Sequence, residues 1–344
     1  MMRALVLEKS GRPPVLTVGE VPIPSPGPGE VLVRVAACGF CHHDLLVMAG
    51  VLRRGVKPGV ILGHEISGIV AQVGEGVSAV ETGDRVVSLL TNACGRCERC
   101  LSGREHRCVY GEGIGHGRDG GFAEYVALSE FSLVKVPESV ELTGAALLAC
   151  PMGVALQAVQ NVAEVSPGET TVVTGAGGGL GIHGLQMAAA LGSRVLAVTT
   201  SEDKLGQFAP LGAEEILHSD ELDFSEMVLA LTEDQGAEVV IDTVGSALFP
   251  SAWRSLAQFG RLVLLGEVSG RSVDLNLAEI IFRDARILGS SGVSRSVIEQ
   301  VVEMVSQGRV KPVVGGAMPL EEAATAFDML SGKSVLGRLV LTAR

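Results

Sequence analysis

The sequence predicts an α/β protein of two domains, a β-rich domain made from both ends of the chain and a doubly wound parallel sheet between them. Three observations carry that reading. Residues 1 to about 150 break into short strand patterns separated by glycine and proline. From about residue 152 strands alternate with helical patterns, as βαβ units do. The tail returns to a β-rich ending and is expected to rejoin the first domain. The domain boundaries are then 1–151, 152–288 and 289–344.

In order, the first domain reads as strands at 31–35, 68–73 and 85–89, entered through an extended segment that Pro22, Pro24, Pro26 and Pro28 keep from being helical. In the second, residues 171–174 are a buried strand, 180–191 a helix and 194–198 a strand. A helix over 202–211 and strands at 239–242 and 261–265 complete that domain. The tail adds a helix at 296–307 and a strand at 338–341.

Composition narrows the function. The 344 residues are 47% hydrophobic and 19% charged, which is globular. A formal net charge of -12 without a basic stripe excludes a nucleic-acid partner. The opening residues hold too short an apolar run for an export signal. Gly144, Pro151, Gly153 and Gln157 interrupt the longest apolar stretch, which therefore reads as a buried helix–turn and not as a membrane span. Seven cysteines, an odd number, with no export signal imply reduced thiols and a cytoplasmic protein.

Four of those cysteines are spaced Cys94-x2-Cys97-x2-Cys100-x7-Cys108 in a polar, glycine-containing stretch, about 92–110. One loop can fold back and set four thiolates at the corners of a tetrahedron, the geometry of a structural zinc. An iron–sulfur run would end C-x3-C-P, and a disulfide framework fits neither the odd count nor the compartment. Four thiolates leave no open position, so this lobe is structural.

Between the first strand and helix of the second domain runs Gly175-Ala176-Gly177-Gly178-Gly179-Leu180-Gly181. Its glycines let the backbone approach a pyrophosphate, whose charge rests on amides at a helix N-terminus. Alanine holds the first position of the G-x-G-x-x-G pattern, and the strand–turn–helix context carries the assignment. At the end of the next strand, Thr199, Thr200 and Ser201 stand where an acidic residue would bind ribose, and Lys204 is close behind. Hydroxyls and a cation suit a 2′-phosphate, which favours NADP(H) over NAD(H). Glu202 and Asp203 could instead turn onto ribose, or complement the dipole of the next helix.

A second constellation joins Cys41-His42-His43-Asp44, Gly63-His64-Glu65 and Cys150 at the domain junction. Together Cys41, His64 and Cys150 with one open position would make a Cys2His zinc site of the catalytic kind, able to polarise an alcohol or carbonyl oxygen, whereas singly Cys150 reads as core and His64 as a structural histidine.

With these residues in hand the chain resembles the zinc-dependent alcohol dehydrogenase branch of the medium-chain dehydrogenase/reductase superfamily along essentially its whole length. The runs 39–44, 63–68, 83–86 and 119–125, the four-cysteine lobe and the glycine turn carry the likeness. It implies a GroES-like catalytic domain and a Rossmann coenzyme domain, two zinc ions per subunit, a small-molecule substrate and a homo-oligomer. It also implies Cys41, His64 and Cys150 on catalytic zinc, Glu65 as a possible fourth ligand, Asp44 orienting His64, and Arg338 on a cofactor phosphate. The residues from Val172 to Lys204 and the run 240–245, with Val244 against the cofactor, are also similar to NADPH-dependent acryloyl-CoA reductases.

Two departures matter. His43 replaces the hydroxyl residue that begins the family's proton relay, and Leu46 stands where the relay's terminal histidine would be. His43 is expected either to move the proton itself or to pack beside the motif. The alanine-first turn leaves a second reaction open, NADPH reduction of an activated C=C bond in an enoyl-CoA or a quinone. Leu90 stands where the family commonly sets a ring against substrate, and reads either as room for a bulkier substrate or as ordinary core. His183 is expected to pack or touch solvent, His116 to be a loop residue or to approach the cleft, and His42 to lie near the cofactor phosphates, while Cys38 reads as a small hydrophobe. A non-catalytic binding protein on this scaffold would have lost Cys41 or His64.

Overall fold

The computed structural model describes residues 1–219, 223–332 and 334–343. Two compact units result: Met1–Gly153 with Gly292–Gly308 and Pro312–Arg344, and Val154–Ser291 with Arg309–Lys311.

In the first unit a seven-stranded sheet runs in the order Leu133–Lys135, Arg85–Ser88, Glu65–Val73, Glu30–Phe40, Arg338–Thr342, Val314–Pro319, with Tyr125–Ser129 also paired to Glu30–Phe40. All pairings are antiparallel except that between the last two strands of this order. Glu30–Phe40 is the axis. Its first half pairs with Tyr125–Ser129 and its last residues with Arg338–Thr342 along the same flank. Apolar side chains that alternate along these strands bury Leu5, Val33, Phe40, Leu62, Ile66, Phe122, Leu128 and Leu339 in one core. A smaller sheet, Val15–Val21, Met2–Lys9 and Val60–Ile61, packs into the same core.

Register along the axis strand decides which distant residues become neighbours. Gly39 lies opposite Glu65 on one side and Val340 on the other, and Phe40 lies opposite Leu339. Cys41 then ends the strand and caps helix His42–Met48. Three segments far apart in sequence therefore meet at one strand end.

The second unit carries six parallel strands in the order Glu215–His218, Arg194–Thr199, Thr170–Val173, Ala237–Asp242, Leu256–Leu264, Arg286–Gly289. This is the doubly wound order, in which the chain reverses beside Thr170–Val173. Two of its strands, Glu215–His218 and Arg286–Gly289, are short and half-polar, and no apolar run in the sequence marks them. The helix expected over 202–211 is instead two 3-10 segments, Glu202–Gln207 and Ala209–Leu211. Gly206, Pro210 and left-handed Gly212 deprive that stretch of continuous α-helical bonding.

Close backbone approach makes one glycine of the first unit a sensitive position. A Cβ on Gly68 would stand 2.3 Å from the Arg34 carbonyl oxygen and 2.7 Å from Val33 Cγ1. Gly68→Ala forces the two central strands apart and is expected to cost about 1–3 kcal/mol. Thermal denaturation checks this, with a Tm several degrees below that of the parent protein.

Candidate metal and coenzyme sites

The four-cysteine lobe folds as its spacing requires. Cys94, Cys97, Cys100 and Cys108 bring their sulfurs within 4.8 Å of one another. Individual Sγ···Sγ separations are 3.5 Å for Cys97–Cys100, 3.8 Å for Cys97–Cys108 and 4.0 Å for Cys94–Cys100. A tetrahedron of ~2.3 Å zinc–sulfur bonds has edges of about 3.8 Å, so the four sulfurs fit such an ion. Disulfide spacing is far shorter. Backbone N–H groups of Val109 and Cys100 lower the Cys97 thiol to about 6, while burial and then its sulfur neighbours push Cys100 up to about 12. Gly95 is required for the turn: its φ is +69°, and a Cβ there would lie 2.3 Å from the Phe131 ring.

At the end of the axis strand Cys41, His64, Glu65 and Cys150 converge, all buried, with ligand atoms within 4.8 Å of one another. Glu65 Oε1 faces Arg338 and Asp44 Oδ1 faces His64 Nδ1, but Glu65 Oε2 is buried with no hydrogen-bond or ion-pair partner among the described residues. A buried carboxylate oxygen left in that state implies a missing partner. Two sulfurs, an imidazole and a carboxylate oxygen are the donor set of a zinc that keeps a replaceable position, so the residues fit the metal. His64 Nδ1 lies 3.6 Å from Asp44 Oδ1 and its Nε2 3.9 Å from Glu65 Oε1, which turns Nε2 toward the cluster. Asp44 is itself fixed by the Cys41 N–H, which donates to Oδ2 at 2.9 Å.

Charges in this cluster are interdependent. Hydrogen bonding from Cys150 holds the Cys41 thiol well below its usual range against the effect of burial, and Cys150 is correspondingly raised. Burial pulls His64 down, but the Asp44 carboxylate and Cys41 outweigh it and raise the imidazole. Burial drives Glu65 up to about 8 despite the opposing pull of Arg338.

Arg338 has a neighbourhood that the sequence did not disclose. Its guanidinium, 5% exposed, stands 3.1 Å from Glu65 Oε1 and 3.9 Å from the Cys150 sulfur. Strand register brings it there, since Leu339 pairs with Phe40. Its charge is engaged inside the cluster, where the family likeness implied a cofactor phosphate. Gly39 makes room for the pair: a Cβ at 39 would sit 1.9 Å from Glu65 Oε2. His43 is also adjacent, its ring edge-on to His64 at 5.0 Å between centroids. Burial first, then His64, lowers its pKa. His116, expected either as a loop residue or near the cleft, packs 5.6 Å from His43. Cys38 is fully buried among apolar side chains, and His183 is fully buried with Nδ1 bonded at 2.6 Å to the Gly179 carbonyl.

In the second unit the glycine turn leads from Thr170–Val173 into helix Gly179–Ala190, with Gly178 as cap. Gly175 takes a φ of +59°, and a Cβ on Gly181 would stand 2.2 Å from the Gly175 oxygen. Strand end and helix start therefore touch, and the first-turn N–H groups at Gly179, Leu180 and Gly181 are left without intrahelical acceptors. Asp242 braces the turn from the neighbouring strand. It accepts from Thr174 Oγ1 at 2.7 Å, Val244 N at 2.9 Å and Gly245 N at 3.0 Å. Val244 thereby lies against Gly175. Thr199 is buried with Oγ1 accepting from Ser201 N at 3.1 Å, and Thr200 is exposed. Lys204 lays its stem beneath the turn, where a Cβ on Gly177 would meet its Cδ at 2.9 Å.

Comparison with known proteins agrees with this geometry. Residues 27–138 match the family described as alcohol dehydrogenase GroES-like domain, and residues 179–307 match zinc-binding dehydrogenase. An acryloyl-coenzyme A reductase of Metallosphaera sedula is 38% identical over 99% of this chain and 100% of its own length. An alcohol dehydrogenase of Geobacillus stearothermophilus is 34% identical over 99% of each. Among solved structures, an NAD-dependent alcohol dehydrogenase superposes with a TM-score of 0.93 at 36% identity, over 100% of both chains.

The Glu65–Arg338 pair generates its own test. Arg338→Ala strands a buried carboxylate and is expected to cost about 3–5 kcal/mol. Adding Glu65→Gln to that variant is expected to recover part of the loss, which a denaturant-unfolding double-mutant cycle measures.

Proposed function

The chain belongs to the medium-chain dehydrogenase/reductase superfamily, and from that membership we propose that it is a zinc-dependent alcohol dehydrogenase moving hydride between NADP(H) and an alcohol, ketone or aldehyde. The observation that carries this reading is the buried convergence of Cys41, His64 and Cys150 beside Glu65. Cys41, His64 and Cys150 would hold a zinc ion, which would supply polarisation of a substrate oxygen, whether of an alcohol, a ketone or a thioester. The glycine turn of the second unit would hold a dinucleotide, whose nicotinamide would supply the hydride chemistry.

The chain's own residues do the remainder. Two thiolates and a neutral imidazole hold the ion with no net charge left over. Arg338 balances Glu65, so the carboxylate can stand in the cluster without a surplus negative charge. Asp44, whose Oδ1 lies 3.6 Å from Nδ1, favours the imidazole tautomer with its proton on that nitrogen by its charge. His43, with a lowered pKa and a buried Nδ1 that has no partner, is neutral near pH 7 and placed to take the substrate proton. Gly175, Gly177, Gly178, Gly179, Leu180 and Gly181 cradle the pyrophosphate, with Val244 alongside. Thr199, Thr200, Ser201 and Lys204 take the 2′-phosphate. Cys94, Cys97, Cys100 and Cys108 hold the second, structural zinc.

A second reading has a specific observation behind it. The 38% identity to an acryloyl-coenzyme A reductase along the full chain favours reduction of an enoyl thioester on the same scaffold. Hydride would then reach the β-carbon while the thioester oxygen takes up the charge. We also read the protein as a cytoplasmic homo-oligomer. Phe282, Leu277, Ile281 and Phe259 of the second unit, 80%, 69%, 69% and 67% exposed, form an apolar surface suited to a second copy. No helix among the described residues is long and apolar enough to cross a membrane.

Cys41→Ser and His64→Ala are each expected to lower metal content from two zinc ions per chain to one. Both are expected to abolish carbonyl turnover while dinucleotide binding persists, as metal analysis and nicotinamide absorbance will show. Turnover equal to the parent's in both variants would remove the zinc mechanism. For the coenzyme, kcat/KM is expected to be higher with NADPH than with NADH, and Lys204→Glu to narrow that ratio. A preference for NADH in the parent protein contradicts the assignment at Thr199.

A further inference from the structure

We infer that the loop at 51–57 is a docking site for the phosphate-bearing handle of the substrate, the chemistry of an acyl coenzyme A. The inference rests on the second reading above, an enoyl thioester brought to Cys41, His64 and Cys150, and deepens it by assigning the residues that hold that substrate's phosphates.

Charge is the first observation. Between Asp44 and Glu65 the chain holds Arg53, Arg54 and Lys57 and no acidic residue, in a protein whose formal net charge is -12. Lys57 is neutralised by Asp119 at 2.5 Å. Arg53 and Arg54 are exposed, and neither side chain has an ion pair or hydrogen bond among the described residues. The two arginines are neighbours in sequence and lack a counter-charge, and the planar forks of guanidinium groups match phosphate oxygens two bonds at a time.

Position is the second. The loop is tied by its backbone to the reaction centre. Lys57 N donates to the His116 carbonyl at 2.8 Å, and His116 Nε2 donates to the Arg54 carbonyl at 2.9 Å. The His116 ring packs on His43, which packs on His64. The arginine pair thus hangs two ring contacts from a residue of the metal cluster. His116 Nδ1 and His43 Nδ1 are buried without hydrogen-bond partners.

Shape is the third. Val51 and Leu52, 55% and 36% exposed, immediately precede the arginines. An apolar step followed by a paired cation suits a ligand whose reactive end is joined to its phosphates by a long, weakly polar arm. A short free alcohol would use none of it. Isolated surface arginines are ordinarily just solvated, but these lack an ion pair among the described residues and are anchored through His116. In a negatively charged protein such a patch also guides an anionic substrate toward one rim.

Calorimetric titration of coenzyme A into the metal-replete, full-length protein tests this, with the dinucleotide present at saturation so that the coenzyme's own phosphate site is filled. Phosphate-free pantetheine is the reference. Coenzyme A is expected to bind more tightly than pantetheine, by a margin that shrinks as salt is raised. The double substitution Arg53→Ala, Arg54→Ala is expected to reduce that margin about tenfold, since charged contacts of this kind carry that much affinity. Equal binding of the two ligands to the parent protein would overturn the proposal, as would a margin that survives the substitution. The reading beneath it fails separately. If Cys41→Ser retains full turnover while coenzyme A still depends on the arginines, the reaction-centre assignment falls and the docking site stands.

Discussion

Everything in the first unit depends on putting two thiols, an imidazole, a carboxylate and a guanidinium together out of water. An isolated charge so buried is prohibitively costly, and a cluster survives only when its charges balance and its lone pairs have partners. Here Arg338 answers Glu65, and Asp44 answers His64. The unpartnered Oε2 of Glu65 and the opposed shifts of Cys41 and Cys150 leave room at the centre for the dication proposed above. Strand register provides the geometry, because Gly39 stands between Glu65 and Val340 at the end of the axis strand. Gly39 is a packing requirement of that centre as much as of the sheet, since any side chain there would occupy the space of Glu65.

The second unit solves a different problem, the approach of backbone to an anion. Gly175 bends the strand end, Gly181 lets the helix press against it, and Asp242 anchors the adjoining turn with three hydrogen bonds. No pattern in the chain singles out Asp242, because its role depends on parallel pairing between strands some seventy residues apart, which places it beside Thr174. Lys204, by contrast, is legible in the sequence, and its stem beneath Gly177 ties the cation to the turn.

What the sequence discloses depends on the distance over which each feature is encoded. The four-cysteine lobe is local, so its spacing alone implies a tetrahedral set. The parallel sheet announces itself through alternating periods, though Glu215–His218 and Arg286–Gly289 are too short and polar to stand out. Residues 202–211 have a helical composition, but Gly206 and Pro210 leave only 3-10 turns. Cys41, His64 and Cys150 are found through family likeness, since nothing local links them. The pairing of Arg338 with Glu65 and the packing of His116 on His43 are long-range outcomes of antiparallel register and loop closure, and neither leaves a trace in residue spacing.

Zinc K-edge X-ray absorption on the purified protein is the most direct measurement of the buried centre. With both sites filled, the account predicts an average of three sulfurs per zinc, four at the lobe and two at the cluster of Cys41 and Cys150, with nitrogen and oxygen completing the coordination at the cluster. A spectrum of four sulfurs per zinc, with one metal per chain, would contradict it: the lobe would be the sole metal site and the buried cluster would hold nothing.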